Sequence, residues 1–380
     1  MIQLNNTSNS GSLSCDVLVV GAGVLGLWVA RHAALAGAKV IICEKREVGA
    51  GASGGFLGAL MPHMPDGGWQ PKKQMQYEAL CDLPEVVASL ESDTGGDCGF
   101  RRCGRLVPMT HHKMPENAER RVSGAAQFWL DTAGKQAFVY ENIGVSDVKD
   151  DGWMTPAIAS FGATYDDFSA RINPRSYLAA LKTFAEEHCQ LIEGAEIVDL
   201  NPGEKFVILA DDSKIHAERT VVTSGYEAYP MLQPLMGAMN EGKSIGKGVK
   251  GQAVLVQYDH DDTMPIVYHD RSYVVPHKGN IVAIGSTSQS DWSGKANEFD
   301  EDNMGFYKVA MELVPALADA PIIGKWAGVR PRNTLNGRGT DPFYEAVPGA
   351  DGLYAVIGGF KITLGVGHEI TRRLVASMLS

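Results

Sequence analysis

The sequence predicts an α/β chain, α+β overall, in which a helix-covered parallel sheet is joined to a second, mainly antiparallel sheet. Three observations predict it. Asp16–Val20 (DVLVV) is a short β-branched run that passes through closely spaced glycines into an Ala/Leu-rich helical stretch ending near Ala36, and Lys39–Glu44 (KVIICE) is the next strand, so residues 16–44 form one βαβ unit. Between Gln252 and Gly285 the runs QAVLVQY, PIVYH, SYVVP and IVAIG are separated by Asp-Asp, Asp-Arg and Lys-Gly-Asn turn signals, the texture of an antiparallel sheet. At the far end Leu353–Ile357 is a strand, Gly358-Gly359 a tight turn, and Ile370, Leu374 and Met378 a helix stripe at spacing four, so the chain returns to the first sheet.

The intervening elements obey the same logic. A leader of about a dozen polar residues is expected to be flexible. Asn173-Pro174 starts a helix that carries Leu178, Leu181 and Phe184 on one face. Glu196–Leu200, Phe206–Ala210 and Thr220–Thr223 are strand candidates. A length of 380 residues leaves room for two or three domain-sized units. Glycine, with 43 copies, makes up about 11% of the chain against a usual ~7%, and without a collagen-like period the excess means tight turns and close backbone approaches.

Charge and composition exclude several classes. The formal net charge of −11 argues against a phosphate backbone or an anionic membrane as the main partner. The longest uncharged apolar stretch, Val17 to Ala30, has 14 residues including three glycines, too short for a membrane span of ~18 or more. The polar start MIQLNNTSNSGSLS lacks the basic-then-apolar pattern of a secretory signal, so a cytoplasmic, reducing location is expected. Six cysteines without a C-x-x-C pair do not make a disulfide framework and are expected to be mostly buried thiols. Cys98 and Cys103 with His111 and His112 are the one candidate zinc cluster, but the C-x4-C spacing is off the common pattern and ordinary loop residues are the preferred reading, so no metal is expected.

The strand–Gly21-x-Gly23-x-x-Gly26–helix–strand–Glu44 series matches a dinucleotide fingerprint in context as well as in letters. The glycines permit the tight turn and let a pyrophosphate approach the helix N-terminus, while Glu44, 18 residues after Gly26, can accept hydrogen bonds from an adenosine ribose. The first domain is therefore Rossmann-like. A second loop of small residues, Gly49 to Gly58 (GAGASGGFLG), comes after the acidic strand and suits backbone pressed against a flat ring or a phosphate.

With these residues in place the chain resembles a known family. DVLVVGAGVLGLWVA, EKREVGAGASGGFLGAL, RINPRSYLAAL, VVTSG, GVKGQAVLV, WAGVRP and GGFKITLGVGHEI occur in the order seen in the D-amino-acid oxidase, glycine oxidase and sarcosine oxidase superfamily of FAD enzymes. The resemblance runs from Cys15 onward and is most specific at the two ends. It implies that Gly21, Gly23, Gly26 and Glu44 hold the ADP half of FAD, that Ser53 and Gly54 lie along the pyrophosphate and flavin, and that Val198 lies near the adenine, with Lys45 and Gly225 nearby. Gly359 to Gly365, including Thr363, would then set backbone N–H groups at a helix start beside the flavin pyrimidine edge. The implied division is discontinuous: an FAD-binding domain of 15–85, 155–228 and 325–380, and a substrate domain of 86–154 and 229–324.

The resemblance also offers two cations for a substrate carboxylate. Arg330, in Gly328-Val329-Arg330-Pro331, matches the arginine of glycine and D-amino-acid oxidases, and Lys361 matches the lysine of sarcosine-oxidase-like members. The arginine that sarcosine oxidases carry soon after the position of Ser53 is missing; there the chain reads GGFLGALMPHM, with His63 as its one titratable group and a third catalytic candidate. Tyr258, Tyr268 and Tyr273 are further candidates for the pocket wall. The implied reaction is oxidation of the C–N bond of a small amino acid or N-substituted amino acid to an imine, which water hydrolyses, with O2 as acceptor. The alternatives are a dehydrogenase serving a quinone or a carrier protein, and a tRNA-modifying flavin oxidoreductase, the latter disfavoured by the charge of −11; an NAD-linked oxidoreductase is a more distant third. FAD is expected to be non-covalent, because covalent members use a cysteine after the arginine motif and the last cysteine here is Cys189. Homo-oligomerisation stays open.

Overall fold

Five parallel strands form the centre of the first sheet, and they are drawn from three distant stretches of chain. In the computed structural model, which describes residues 13–292 and 295–380, these are β1 (Leu13–Val20), β2 (Val40–Glu44), β3 (Gln190–Glu193), β4 (Lys214–Val222) and β5 (Leu353–Ile357), in the spatial order β3-β2-β1-β4-β5. The expected leader lies almost wholly outside the described residues. Antiparallel strands complete eight: Ile197–Asn201 and Phe206–Leu209 attach to the start of β4, and Phe343–Ala346 pairs with β5.

Parallel strands need cover on both faces, and β1 is buried without interruption from Val17 to Val20. The cover on one face is α1 (Val24–Leu35), α2 (Pro174–His188) and α3 (Thr363–Leu379). α1 is buried almost all round, with Leu27, Trp28, Val29, Ala30 and Ala33 inside, because it lies between the sheet and two neighbouring helices. Gly367 lets α3 approach: a Cβ there would stand 3.3 Å from Leu25. α2 begins as its sequence requires. Asn173 Oδ1 accepts the N–H groups of Arg175 and Ser176 at 3.1 and 3.2 Å, Pro174 occupies the first turn, and Leu178, Leu181 and Phe184 are buried. Trp28 Nε1–H donates to Tyr177 Oη at 2.8 Å and ties α1 to α2.

The second sheet also has eight strands, in the order Ile322–Asn333, Gly246–Gln257, Ile281–Gly285, Ser272–His277, Ile266–His269, Arg105–Pro108, Ala163–Asp166 and Tyr140–Ile143. All neighbours are antiparallel except Ile266–His269 with Arg105–Pro108. Its two faces obey the period of two. Val254, Val256, Val274, Val282 and Ile284 pack under the helix Gly305–Leu313, whereas Ala253, Tyr273, Val275 and Ala283 face Phe56 on the other side.

Several elements differ from the sequence reading. β3 is not among the expected strands, since Gln190 and Glu193 are exposed and the strand sits at the edge of the sheet, so it shows no buried run. The helix Pro71–Thr94 is likewise not expected, its pattern being broken by Pro84 in its interior. The expected domain boundaries cut across the sheets. Ile322–Asn333 straddles the expected boundary at 324/325 yet pairs along its whole length with Gly246–Gln257, and Ala163–Asp166 falls in 155–228 yet pairs with Arg105–Pro108; continuous ladders decide membership over chain position. Cys98 and Cys103 are buried thiols and His111 and His112 are exposed; among the described residues no group of three or more metal-ligating side chains gathers. No helix among them is long and apolar enough to cross a membrane.

Candidate active site

A cavity of about 770 Å³ runs from the carboxyl ends of β1 and β2 to the face of the second sheet. The glycines at its first end are needed for packing as well as for space. Gly21 has φ of +102°, and a Cβ would stand 2.9 Å from Ser224 Cα; at Gly26 a Cβ would stand 1.9 Å from the Gly21 carbonyl oxygen. Gly23 is the N-cap of α1 and offers no side chain to cap it. Ser53, from the loop after β2, reaches across instead, its Oγ accepting the Val24 N–H at 3.1 Å. Ser224 Oγ, which also lines the cavity, is buried without a hydrogen-bond partner among the described residues.

Glu44 is oriented by backbone. Its Oε2 accepts the Ala22 N–H at 2.8 Å and its Oε1 the Arg46 N–H at 3.0 Å, which holds the carboxylate beside the glycine turn. Beyond it the charges are mutually paired: Lys45 lies 2.9 Å from Glu196 and 3.5 Å from Glu227, which raises the Lys45 pKa, and Arg46 lies 3.6 Å from Glu227. Val198, just more than half exposed, closes this end.

The opposite end carries unpaired cations. Arg330 projects from Ile322–Asn333; its Nη1 donates to Ser286 Oγ at 3.2 Å, its Nη2 to the Thr287 carbonyl, and its Nε is buried without a partner among the described residues. Gly251 clears the room for it, since a Cβ there would stand 2.5 Å from Nη2. Burial pushes the Arg330 pKa down to about 10. Lys361 has its Nζ 5.3 Å from the centroid of the Tyr273 ring, and burial, with Arg330 and Arg271 nearby, pushes its pKa down to about 8. Both stay mainly cationic at neutral pH, and among the described residues neither has a carboxylate within 4 Å. Trp326, Phe360 and Phe56 supply the apolar walls.

Of the residues singled out from sequence, Gly21, Gly23, Glu44, Lys45, Ser53, Val198, Gly225, Arg330, Lys361 and Thr363 line this one cavity. Gly26, Gly54 and Gly359 stand behind its wall: a Cβ on Gly54 would stand 2.4 Å from the Gly49 carbonyl oxygen, and Gly359 turns the chain at φ +80° into α3. His63 is not brought in. Its backbone N–H donates to Gln76 Oε1 at 2.7 Å and its ring meets the same oxygen, and burial lowers its pKa. Tyr273 lines the cavity and Tyr268 pairs with it across the strands at 4.7 Å, whereas Tyr258 packs beside Trp153 on the other face. Sequence reasoning missed Ser224, Tyr226, Trp326 and Ser286. For Trp326 a signal exists: Trp326, Gly328 and Arg330 alternate on one strand and share a face, and Gly328 leaves space for the Trp326 ring, 2.4 Å from where a Cβ would be.

A cavity with a glycine turn at a helix N-terminus, a Ser224 hydroxyl without a partner among the described residues and an oriented acid at β2 defines a dinucleotide-binding protein, and these groups fit FAD. Residues 16–373 match the family described as FAD dependent oxidoreductase (DAO), and the chain belongs to it. It is 28% identical to a glycine oxidase of Pseudomonas aeruginosa, over 97% of this chain and 95% of that protein. Two solved structures share the fold. They are the glycine oxidase of Geobacillus kaustophilus, with TM-score 0.83, 22% identity and 97% and 95% of the two chains covered, and an iminodiacetate oxidase of a Chelativorans species, with TM-score 0.80, 21% identity and 96% and 95% covered.

Proposed function

We propose that this enzyme oxidises the C–N bond of a small amino acid or N-substituted amino acid to an imine, which water then hydrolyses, with FAD bound non-covalently and O2 as the acceptor. The observation that carries this reading is Arg330, a desolvated guanidinium without a carboxylate partner among the described residues, at the end of the cavity away from the glycine turn. The names of the glycine oxidase and iminodiacetate oxidase relatives, both acting on an amine beside a carboxylate, support it. Free thiols and the absence of a membrane-crossing helix among the described residues agree with a cytoplasmic location.

In this reading Glu44 receives ribose hydroxyls, Lys45 and Val198 flank the adenine, and Gly21, Gly23, Gly26, Ser53, Gly54 and Gly225 shape the pyrophosphate channel. The turn from Gly359 into the start of α3 at Thr363 would help hold the flavin, its N–H groups and helix dipole favouring an electron-rich ring. When bound, FAD supplies the hydride acceptor. Arg330 fixes the substrate carboxylate and so orients the carbon to be oxidised, and Trp326, Phe360 and Phe56 keep water from it. The cavity acids Glu44, Glu196 and Glu227 all belong to the adenine end and desolvation raises the Tyr273 pKa, so no carboxylate base stands beside Arg330 among the described residues, and the substrate amine arrives deprotonated. His63 takes no part.

Arg330→Met with intact flavin content tests the reading. Loss of a charge-assisted contact to a desolvated carboxylate should lower kcat/KM by roughly 30- to 1000-fold. Peroxide release under air, set against reduction of an artificial acceptor without O2, separates oxidase from dehydrogenase. Unchanged turnover in both Arg330→Met and Lys361→Met, or decarboxylated amines reacting as well as amino acids, would overturn it.

A further inference from the structure

The charge at the Arg330 end exceeds what one carboxylate can neutralise. Around the Phe360 ring lie Arg330 at 5.2 Å, Arg332 at 5.6 Å and Lys361 Nζ at 6.0 Å, and Arg271 is close enough to depress the Lys361 pKa. None of the four forms an ion pair among the described residues. Of the other desolvated arginines, Arg31 faces Asp93, Arg105 faces Asp166 and Arg171 faces Asp262, while Arg102 stands alone and spends its guanidinium on the Phe168 and Leu80 carbonyls; nowhere else among the described residues do several such cations gather without an acid. In a protein with 45 acidic and 34 basic residues, four cations gathered around Phe360 and Lys361 without an ion pair among the described residues mark a site for anions.

Two of the cations line the cavity itself, and they are presented differently. The Arg330 guanidinium is fixed by Ser286, Thr287 and Ser288, so its position is set before any ligand arrives. The Lys361 ammonium makes no hydrogen bond to a described residue and lies over the Tyr273 ring, so all its donors remain for a ligand. A ligand with one carboxylate would leave a second desolvated cation unanswered.

We infer that the substrate is an amine bearing two carboxylates, with Arg330 taking the one beside the carbon to be oxidised and Lys361 taking the other. This rests on the C–N oxidation reading above and names its substrate class. The second carboxylate can sit on the nitrogen substituent, as in an N-carboxyalkyl amino acid, or on the side chain, as in an acidic amino acid.

Binding and turnover test it separately, on FAD-loaded enzyme. Thiodiacetate and (methylthio)acetate are unreactive thioethers differing by one carboxylate, and their Kd values are read from the shift of the flavin absorbance. Thiodiacetate should bind about tenfold or more tightly at low ionic strength, and the gap should narrow in 0.5 M salt, the ionic strength chosen for the assay. In Lys361→Met the gap should fall to about threefold or less, while Lys361→Arg keeps most of it and controls for folding. Anaerobic bleaching with iminodiacetate against sarcosine, and with aspartate against alanine in both enantiomers, identifies where the second carboxylate sits. Equal Kd values for the two thioethers, or a gap that persists in Lys361→Met because both cations clamp one carboxylate, would overturn the inference. Fast bleaching by sarcosine or glycine with none by the dicarboxylic amines would overturn it too and leave C–N oxidation standing; bleaching by no amine would instead sink the C–N reading.

Discussion

Replacing His277 with glutamine should flatten the acid limb of this protein's stability curve. The imidazole is buried between the second sheet and the loop after β2, where Nε2–H donates to the Phe56 and Leu57 carbonyls at 3.0 and 3.1 Å while Nδ1 is buried without a partner among the described residues. Protonation would bring a second N–H into a space with no acceptor, and burial accordingly pushes the pKa from 6.5 to about 4. The folded state thus disfavours the proton that the unfolded chain takes up near pH 6.5. The stabilisation is complete above that value and is lost as the pH falls toward 4. A displacement from 6.5 to about 4 corresponds to about 3 kcal/mol in full, of which about 2 kcal/mol is gone by pH 5. His32 and His368 are also pushed down to about 4 and His63 is lowered too, so the variant removes one of four histidine contributions to the acid limb. Urea unfolding from pH 8 to pH 5 with FAD in fixed excess measures it, wild type against His277→Gln, whose amide can still donate to Phe56. Parallel curves for the two proteins would refute the assignment. Because Phe56 and Leu57 line the cavity, FAD release should set in over the same pH window.

Three further outcomes concern the cofactor end. Glu44→Ala removes the acceptor held by Ala22 and Arg46 and should weaken FAD binding by about 10- to 100-fold, giving mostly apo-protein after gel filtration; normal occupancy would mean that the carboxylate does not meet the ribose. Gly26→Ala sets a Cβ 1.9 Å from the Gly21 carbonyl oxygen, a backbone atom that cannot move aside alone, so it should lower both Tm and FAD content, and a variant with unchanged Tm would contradict the packing. Acid precipitation should leave all yellow colour in the supernatant, since no cysteine lies between Arg330 and Ser380; colour in the pellet would disprove non-covalent binding.

What the sequence determined by itself is local. The turn, helix and acid of the FAD end lie within residues 16–44, where spacing alone brings Gly21, Gly23 and Glu44 to one crevice with Gly26 packed behind them, and Asn173-Pro174 starts its helix as the two residue types dictate. The antiparallel runs between Gln252 and Gly285 were legible because their alternation is the pleat itself, whereas which of Tyr258, Tyr268 and Tyr273 meets the cavity was not. Where the other wall comes from was not legible. Ser224, Tyr226, Trp326 and Ser286 reach the cavity from three distant segments, and only the pairing of β1 with β4 and of Gly246–Gln257 with Ile322–Asn333 brings them there. The tertiary structure also decided which polar groups are satisfied. His63 looks free in an apolar run, yet Gln76 occupies it; Arg330 looks like one more arginine, yet the fold buries it beside Lys361 with no acid in reach among the described residues. Spacing along a chain sets which face a side chain takes, whereas its desolvation and its partners depend on surfaces brought from elsewhere, and those two quantities decide whether a charge is structural or waits for a ligand.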